Sequence, residues 1–277
     1  MKRIGQGRTA DIFEYKEDQI LKLYNKEFSE DAIRQEFEIS SAAYSLGIQT
    51  PRPFQLTEAE NRRGILFERI PGSTLLHNMT KKPWLMPKHS GTLAALHAEL
   101  HTHDAPGLLR QQKSLLSHSI KSTLLLTEKE KNKILAHLDE LPDGNKLCHG
   151  DFHPDNVMMN QSPIIIDWMN GMSGNPAGDA ARTIILITCG TMPEGTPIVL
   201  TVLINALRKW MKTAYMKEYL RLTGLNYTDI DKWILPVAAA RLMEESPKAE
   251  QDKLVGLIRD RLRGISSASD LEQEQHE

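Results

Sequence analysis

The sequence predicts an α+β fold in two unequal parts. Short alternating apolar and polar segments crowd its first quarter, helical periodicity fills most of the rest, and the breaker Pro71-Gly72 lies between them. The expected boundaries are a strand-rich part at 1–71 and a larger, mostly helical part at 72–277, with the polar tail SSASDLEQEQHE, about 266–277, unstructured. In the first part DIFEY and QILKLY alternate like paired strands, and RGILFERI returns to that pattern. Between them EDAIRQEFEISSAAYSLG reads as a helix, with Ile33, Phe37, Ser41 and Tyr44 on one face, Gly47 at its end and Pro51 beyond.

Helices are expected in KHSGTLAALHAELH, SHSIKSTLLL and EKEKNKILAHLDEL, and in the long runs near Val199 to Leu222 and Asp231 to Arg263. The middle departs from this pattern. There NVMM and PIIID form two short apolar strands joined by the polar turn Asn160, Gln161, Ser162.

Bulk properties narrow the function. A chain of 277 residues, 40% hydrophobic and 25% charged, is long enough to bury a sizeable core. Its net charge of −2 offers no electrostatic footprint for nucleic acid or an anionic membrane surface. The two cysteines, Cys148 and Cys189, each sit in an apolar stretch, which speaks for core filling in a reducing compartment. The N-terminus lacks the apolar segment of a signal peptide, and the apolar run from Ile184 towards Cys189 is too short to span a bilayer, so the expected location is the cytoplasm.

The chemistry concentrates in His149, Gly150, Asp151, Phe152, His153, Pro154, Asp155, Asn156, followed by Asp167 at the end of an apolar strand. Phosphoryl transfer to a hydroxyl needs a carboxylate to take the proton and hard oxygen ligands to hold Mg²⁺ against the phosphates. Asp151 and Asn156 have the spacing that kinase catalytic loops use for this, and Asp167 stands where a strand end holds a second metal-binding carboxylate. Nearer the N-terminus, Gly5 and Gly7 fall in a G-x-G-x-x-A turn whose small residues let backbone N–H groups approach phosphate oxygens. Lys22, a cation among apolar neighbours on a strand, needs an anionic partner. Glu36 fits, because it lies beside the apolar helix face, whereas Glu38 projects away from it.

CHGDFHPDNVMM together with IIIDWMN resembles the aminoglycoside phosphotransferase and choline kinase group, and GRTADIFEY, LKLY and EFEI extend the resemblance over most of residues 1 to 190. The resemblance implies a two-lobed protein-kinase-like fold, with a small antiparallel-sheet N-lobe and a larger, mostly helical C-lobe. It assigns Asp151 as the catalytic base and Asn156 and Asp167 as magnesium ligands. It puts Phe67, Glu68, Arg69 and Ile70 at the hinge, where backbone groups meet the adenine ring, and makes His97 structural. GNPAGDAART resembles that group's GDPxxDLA segment, so Asp179 is expected to tie the catalytic loop in place; read locally, its carboxylate is an N-cap for Ala180 to Arg182. His149 and His153 suit bracing the loop better than accepting protons.

Two departures bear on the substrate. The loop lacks the Arg of HRD, which leaves a phosphorylated activation loop without a receiver. Met169 stands where many relatives carry an acid, which weakens the case for a polycationic acceptor. The expected activity is Mg²⁺-dependent transfer of the γ-phosphate of ATP or GTP to a hydroxyl of a small molecule, by a monomer or weak homodimer with no nucleic-acid or membrane partner. The alternative is a kinase-like nucleotide-binding regulatory protein without transfer activity. Trp210, Tyr215, Trp233, Arg241 and Glu245 are the places to look for acceptor contacts. A zinc hydrolase built from His97, His101 and His103 with His149, Asp151 and His153 is a third reading, and it gives Lys22 and Glu36 no purpose.

Overall fold

The computed structural model describes residues 1–105, 107, 109–190 and 196–274, with side chains as far as 264. The chain divides into two compact units, Met1–Leu85 with His149–Gly171, and Met86–Cys148 with Met172–Glu277. The segment bearing the candidate catalytic residues thus groups with the strand-rich N-terminal residues, although it lies far beyond Pro71 in sequence.

The first unit is built on a five-stranded antiparallel sheet. Its strands are β1 (Arg3–Gln6), β2 (Ala10–Lys16), β3 (Gln19–Tyr24), β4 (Pro53–Ala59) and β5 (Arg62–Glu68), in the order β1-β2-β3-β5-β4. Helix α1 (Glu30–Ser45) follows β3, opened by Ser29, whose hydroxyl accepts from the Ala32 N–H. It packs on β4, β5 and the turn Trp168–Asn170. The alternation of β3 organises this unit: Leu21 and Leu23 fill a cluster with Leu66 on one face, while Tyr24 joins Ala10, Ile33, Ile65 and Phe67 on the other. The buried face of α1 is Ile33, Glu36, Ile39, Ser40 and Ala43, with Phe37 half-buried. Tyr44, expected on that face, is exposed, because the face follows Ala43 rather than its neighbour.

β3 and β5 approach closely at Leu23 opposite Gly64. A Cβ at Gly64 would come within 2.8 Å of both Leu21 Cδ1 and the Lys22 carbonyl oxygen. Gly64→Ala is therefore expected to cost about 1–3 kcal/mol of stability through strand displacement. An unchanged urea midpoint would refute that.

After β5 come β6 (Ser73–Thr74) and α2 (Leu75–Lys81), the latter capped by the Thr74 hydroxyl. The expected hairpin is present as β8 (Val157–Met159) and β9 (Pro163–Ile165), and β6 pairs with its outer side.

The second unit is mostly helical: α3 (Met86–Leu100), α4 (Gln112–Ser122), α5 (Glu128–Glu140), α6 (Pro176–Cys189), α7 (Ile198–Thr223), α8 (Tyr227–Arg241) and α9 (Lys248–Glu274). A two-stranded pair joins them, β7 (Lys146–Cys148) with β10 (Met172–Gly174). The periodic run Asp231 to Arg263 is two helices, because Ser246-Pro247 interrupts it. The tail expected to be unstructured from about 266 is instead helical backbone, the end of α9, as far as Glu274; residues 275–277 lie outside those described. Among the described residues, no helix is long and apolar enough to cross a membrane.

Candidate active site

Lys22 and Tyr24 occupy alternate positions on β3 and so share the face that meets α1. Lys22 Nζ lies 2.6 Å from Glu36 Oε1, and the Tyr24 hydroxyl donates to Glu36 Oε2 at 2.6 Å. Both oxygens of a carboxylate only 1% exposed are thus held, which offsets the cost of burying it. Glu38, the competing candidate, is exposed. Sequence reasoning missed Tyr24, although the alternation that singled out Lys22 also marks Tyr24. Tyr24→Phe leaves Glu36 with one partner and is expected to cost about 1.5–3 kcal/mol, read by denaturant unfolding.

The candidate catalytic loop and the end of β9 are stitched together by hydrogen bonds. The Ile166 N–H donates to the Asn156 carbonyl at 3.0 Å, and His149 Nε2 reaches the Ile166 carbonyl at 3.0 Å. His149 Nδ1 accepts from the Asp151 N–H at 3.2 Å, which fixes the tautomer, and the imidazole packs against Trp168 and Phe152. Asn156 Nδ2 donates to both the backbone oxygen (2.9 Å) and Oδ2 (3.2 Å) of Asp151, and His153 Nε2 stands 3.5 Å from the same Oδ2. His153 Nδ1 accepts from the Asp155 N–H, opening the short turn that carries Asn156.

Asp167 has φ +66°, a left-handed conformation that Asp tolerates better than most residues. Its Oδ1 lies 2.9 Å from Lys22 Nζ, so one ammonium bridges two carboxylates, Glu36 and Asp167. Burial works against the charge on Lys22, but Glu36 and Asp167 outweigh it and hold the ammonium above its ordinary range. Burial likewise opposes ionisation of Asp167, yet the charge and hydrogen bond of Lys22 keep its carboxyl below the usual value. For Glu36, burial prevails over Lys22 and pushes the carboxyl up. Asp167 keeps 41% of its side chain exposed, so it is the solvent-screened end of the pair.

These oxygens suit a hard divalent cation. Asn156 is oriented through its nitrogen, no described residue donates to its Oδ1, and a second carboxylate stands at the end of the same hairpin. The glycine turn is less open than expected. Gly7 donates its N–H to the Ala10 carbonyl at 2.8 Å, and Gly5 lies within β1. At the expected hinge, the Glu68 and Arg69 N–H groups bond to Arg52 O and Asp18 O, and Phe67 is packed in the sheet core. Ile70 follows, half-buried.

In the second unit, His97 and His101 both place Nε2 against Asp179 Oδ2, at 3.0 and 3.2 Å. Their Nδ1 atoms lie 2.7 Å from the hydroxyls of Tyr215 and Tyr219, one helical turn apart on α7. With both rings protonated at Nε2 and both tyrosines donating, these contacts are satisfied without an ion, and neither ring of this pair keeps a nitrogen for zinc. Asp179 is not the N-cap. Asn175 caps α6 through the Ala177 N–H, Pro176 follows, and Asp179 lies buried inside the first turn. Tyr215, Trp233 and Arg241, offered as acceptor contacts, are buried; Arg241 is held by Glu244 and Glu250. Trp210 is exposed.

A family model described as the phosphotransferase enzyme family matches residues 1–214, and the chain belongs to that family. Solved structures with the same fold include an aminoglycoside-3'-phosphotransferase of type VIII (18% identity, 87% of this chain and 90% of that one, TM-score 0.59). They also include an aminoglycoside phosphotransferase from Streptomyces rimosus in complex with ADP and streptomycin (15%, 85% and 91%, TM-score 0.54). A third is a choline/ethanolamine kinase family protein from Mesorhizobium loti (13%, 91% and 84%, TM-score 0.54). No curated protein sequence matches the chain. At these identities the likeness establishes the kinase-like fold, an antiparallel-sheet N-terminal region followed by a helical C-terminal region.

Proposed function

We propose that the protein transfers the γ-phosphate of a nucleoside triphosphate, ATP or GTP, to a hydroxyl of a small molecule. The observation that carries this reading is the convergence in one unit of Lys22, clamped by Glu36, on Asp167, with Asn156 bonded to Asp151 on the neighbouring strand at the same open end of the hairpin. Lys22 then positions the α and β phosphates, and Asn156 and Asp167 hold Mg²⁺, which when bound neutralises charge on the phosphates. Asp151 orients the acceptor hydroxyl and takes its proton; Asn156 Nδ2, on Asp151 Oδ2, keeps that carboxylate aimed. With the Glu68 and Arg69 amides engaged in the sheet, the Ile70 backbone is the donor we assign to an adenine edge. The bonds of His149 and His153 brace the loop, and the boundary at 71/72 marks the end of the sheet-bearing lobe, the compact unit built on that sheet running on to Leu85.

Magnesium-dependent consumption of ATP and of GTP, measured with a panel of amino sugars, amino alcohols and antibiotics, tests the reading. Nucleotide binding without consumption across the panel would favour the regulatory alternative. Failure to bind either nucleotide would overturn both.

A further inference from the structure

Lys22 has two anionic partners, and one of them is a proposed metal ligand. We propose that, without nucleotide, Lys22 closes the cation site by holding Asp167, so that a divalent ion gains this carboxylate only when a polyphosphate takes over the ammonium. The inference rests on the reading of Asp167 as a metal ligand and goes on to assign an order of binding.

The geometry gives Lys22 little freedom to step aside. Its Nζ lies 2.6 Å from Glu36 Oε1, and Glu36 is fixed by its burial on α1 and by the Tyr24 hydroxyl at 2.6 Å. From that anchor the ammonium sits 2.9 Å from Asp167 Oδ1, one of the two oxygens this carboxylate offers a cation. Only 11% of the lysine side chain is exposed, so solvent screens its charge poorly towards an arriving cation. Lys22 and a divalent ion therefore compete for one carboxylate, and the repulsion between their like charges at this range drives the competition. Phosphate oxygens change the balance in two ways. They replace Asp167 as the second acceptor of Lys22, and they supply ligands to the ion on the side away from the protein. The coupling is reciprocal, so the ion must raise nucleotide affinity by the same factor.

Mn²⁺, titrated alone and with a non-hydrolysable ATP analogue while free Mn²⁺ is followed by electron paramagnetic resonance, reads this directly. Without nucleotide, Lys22→Met is expected to bind Mn²⁺ at least about tenfold more tightly than the wild type, the equivalent of one lost competing contact. Glu36→Gln breaks the same Lys22–Glu36 pair but leaves the ammonium to Asp167, so it is expected to bind Mn²⁺ no more tightly than the wild type. Lys22→Gln serves as a second charge deletion, and thermal melting monitors folding of each variant. Adding Asp167→Asn to Lys22→Met should abolish the gain.

Wild-type affinity for Mn²⁺ alone equal to that of both Lys22 variants overturns the proposal, as does a gain that survives Asp167→Asn. No acceptor is needed, so a failed search for transfer activity leaves these titrations readable. Failure of the wild type to bind the analogue counts against the proposed function, and not against the closure of Asp167 by Lys22.

Discussion

Asp151→Asn is expected to lower turnover by about 10²–10⁴-fold, the usual contribution of a positioned general base. The substitution keeps the volume and one carbonyl-type oxygen, so the architecture around it should persist. The bond from Asn156 Nδ2 to the Asp151 backbone oxygen (2.9 Å) does not involve the side chain, and the bond to Oδ2 (3.2 Å) survives with an amide oxygen in that position. What is removed is the negative charge and, with it, the capacity to take a proton.

Nucleotide affinity should therefore remain within about twofold of the wild type by calorimetry, because the groups assigned to the phosphates are Lys22 and the metal ligands. A loss confined to kcat identifies a transition-state role. Equal turnover removes Asp151 from that role, and a parallel loss of nucleotide binding makes the residue a scaffold for Asn156 and Asp167.

What was legible in the sequence is what local period and spacing encode. Alternation through QILKLY fixed the face of Lys22, and helix geometry ahead of Gly47 chose Glu36 over Glu38. The hairpin carrying Asn156 and Asp167 was visible as two short apolar runs around a polar turn. Strand β4 was not, because Pro51 and Pro53 and the polar string PFQLTEA hide an edge strand whose residues are mostly exposed. The helical run from Asp231 to Arg263 kept its period across a break, since periodicity is blind to Ser246-Pro247 unless breakers are weighed first.

Pairings over long sequence separation were the least accessible. Lys22 meets Asp167 across 145 positions, and His97 meets Asp179 across 82; neither follows from any local pattern. The matched spacing of His97/His101 and Tyr215/Tyr219, each one helical turn, was the one available hint of the buried network. Read locally, Asp179 is an N-cap, because carboxylates commonly open helices. Asn175 followed by Pro176 is the stronger start signal, and it frees Asp179 to point into the core.

The largest stability effect is expected at Asp179. Asp179→Ala removes the acceptor shared by two buried imidazoles and strands their Nε2–H groups, each at a cost of about 1–3 kcal/mol, before any cavity is counted. Asp179→Asn should cost less, for a reason specific to this network. The amide oxygen accepts from one ring, and the amide nitrogen can donate to the other if that ring moves its proton to Nδ1. For His101 such a shift makes the Tyr219 hydroxyl an acceptor, and its own hydrogen has the Pro176 carbonyl 3.4 Å away. Combining Asp179→Asn with Tyr219→Phe closes that route and should bring the loss towards that of alanine; a purely additive double variant would refute the relay. The acid side gives a second check. Burial opposes ionisation of Asp179, but the hydrogen bonds from His101 and His97 prevail and hold its carboxyl well below the ordinary 3.8. A depressed carboxylate stabilises the fold fully above the unfolded-state value and loses that contribution as pH falls through the folded-state one. The stability gap between the wild type and Asp179→Ala, from urea unfolding at several pH values, should therefore hold steady from neutrality to about pH 5 and narrow only below the ordinary carboxylate range. A gap that widens on acidification would mean that Asp179 is not held ionised in this network.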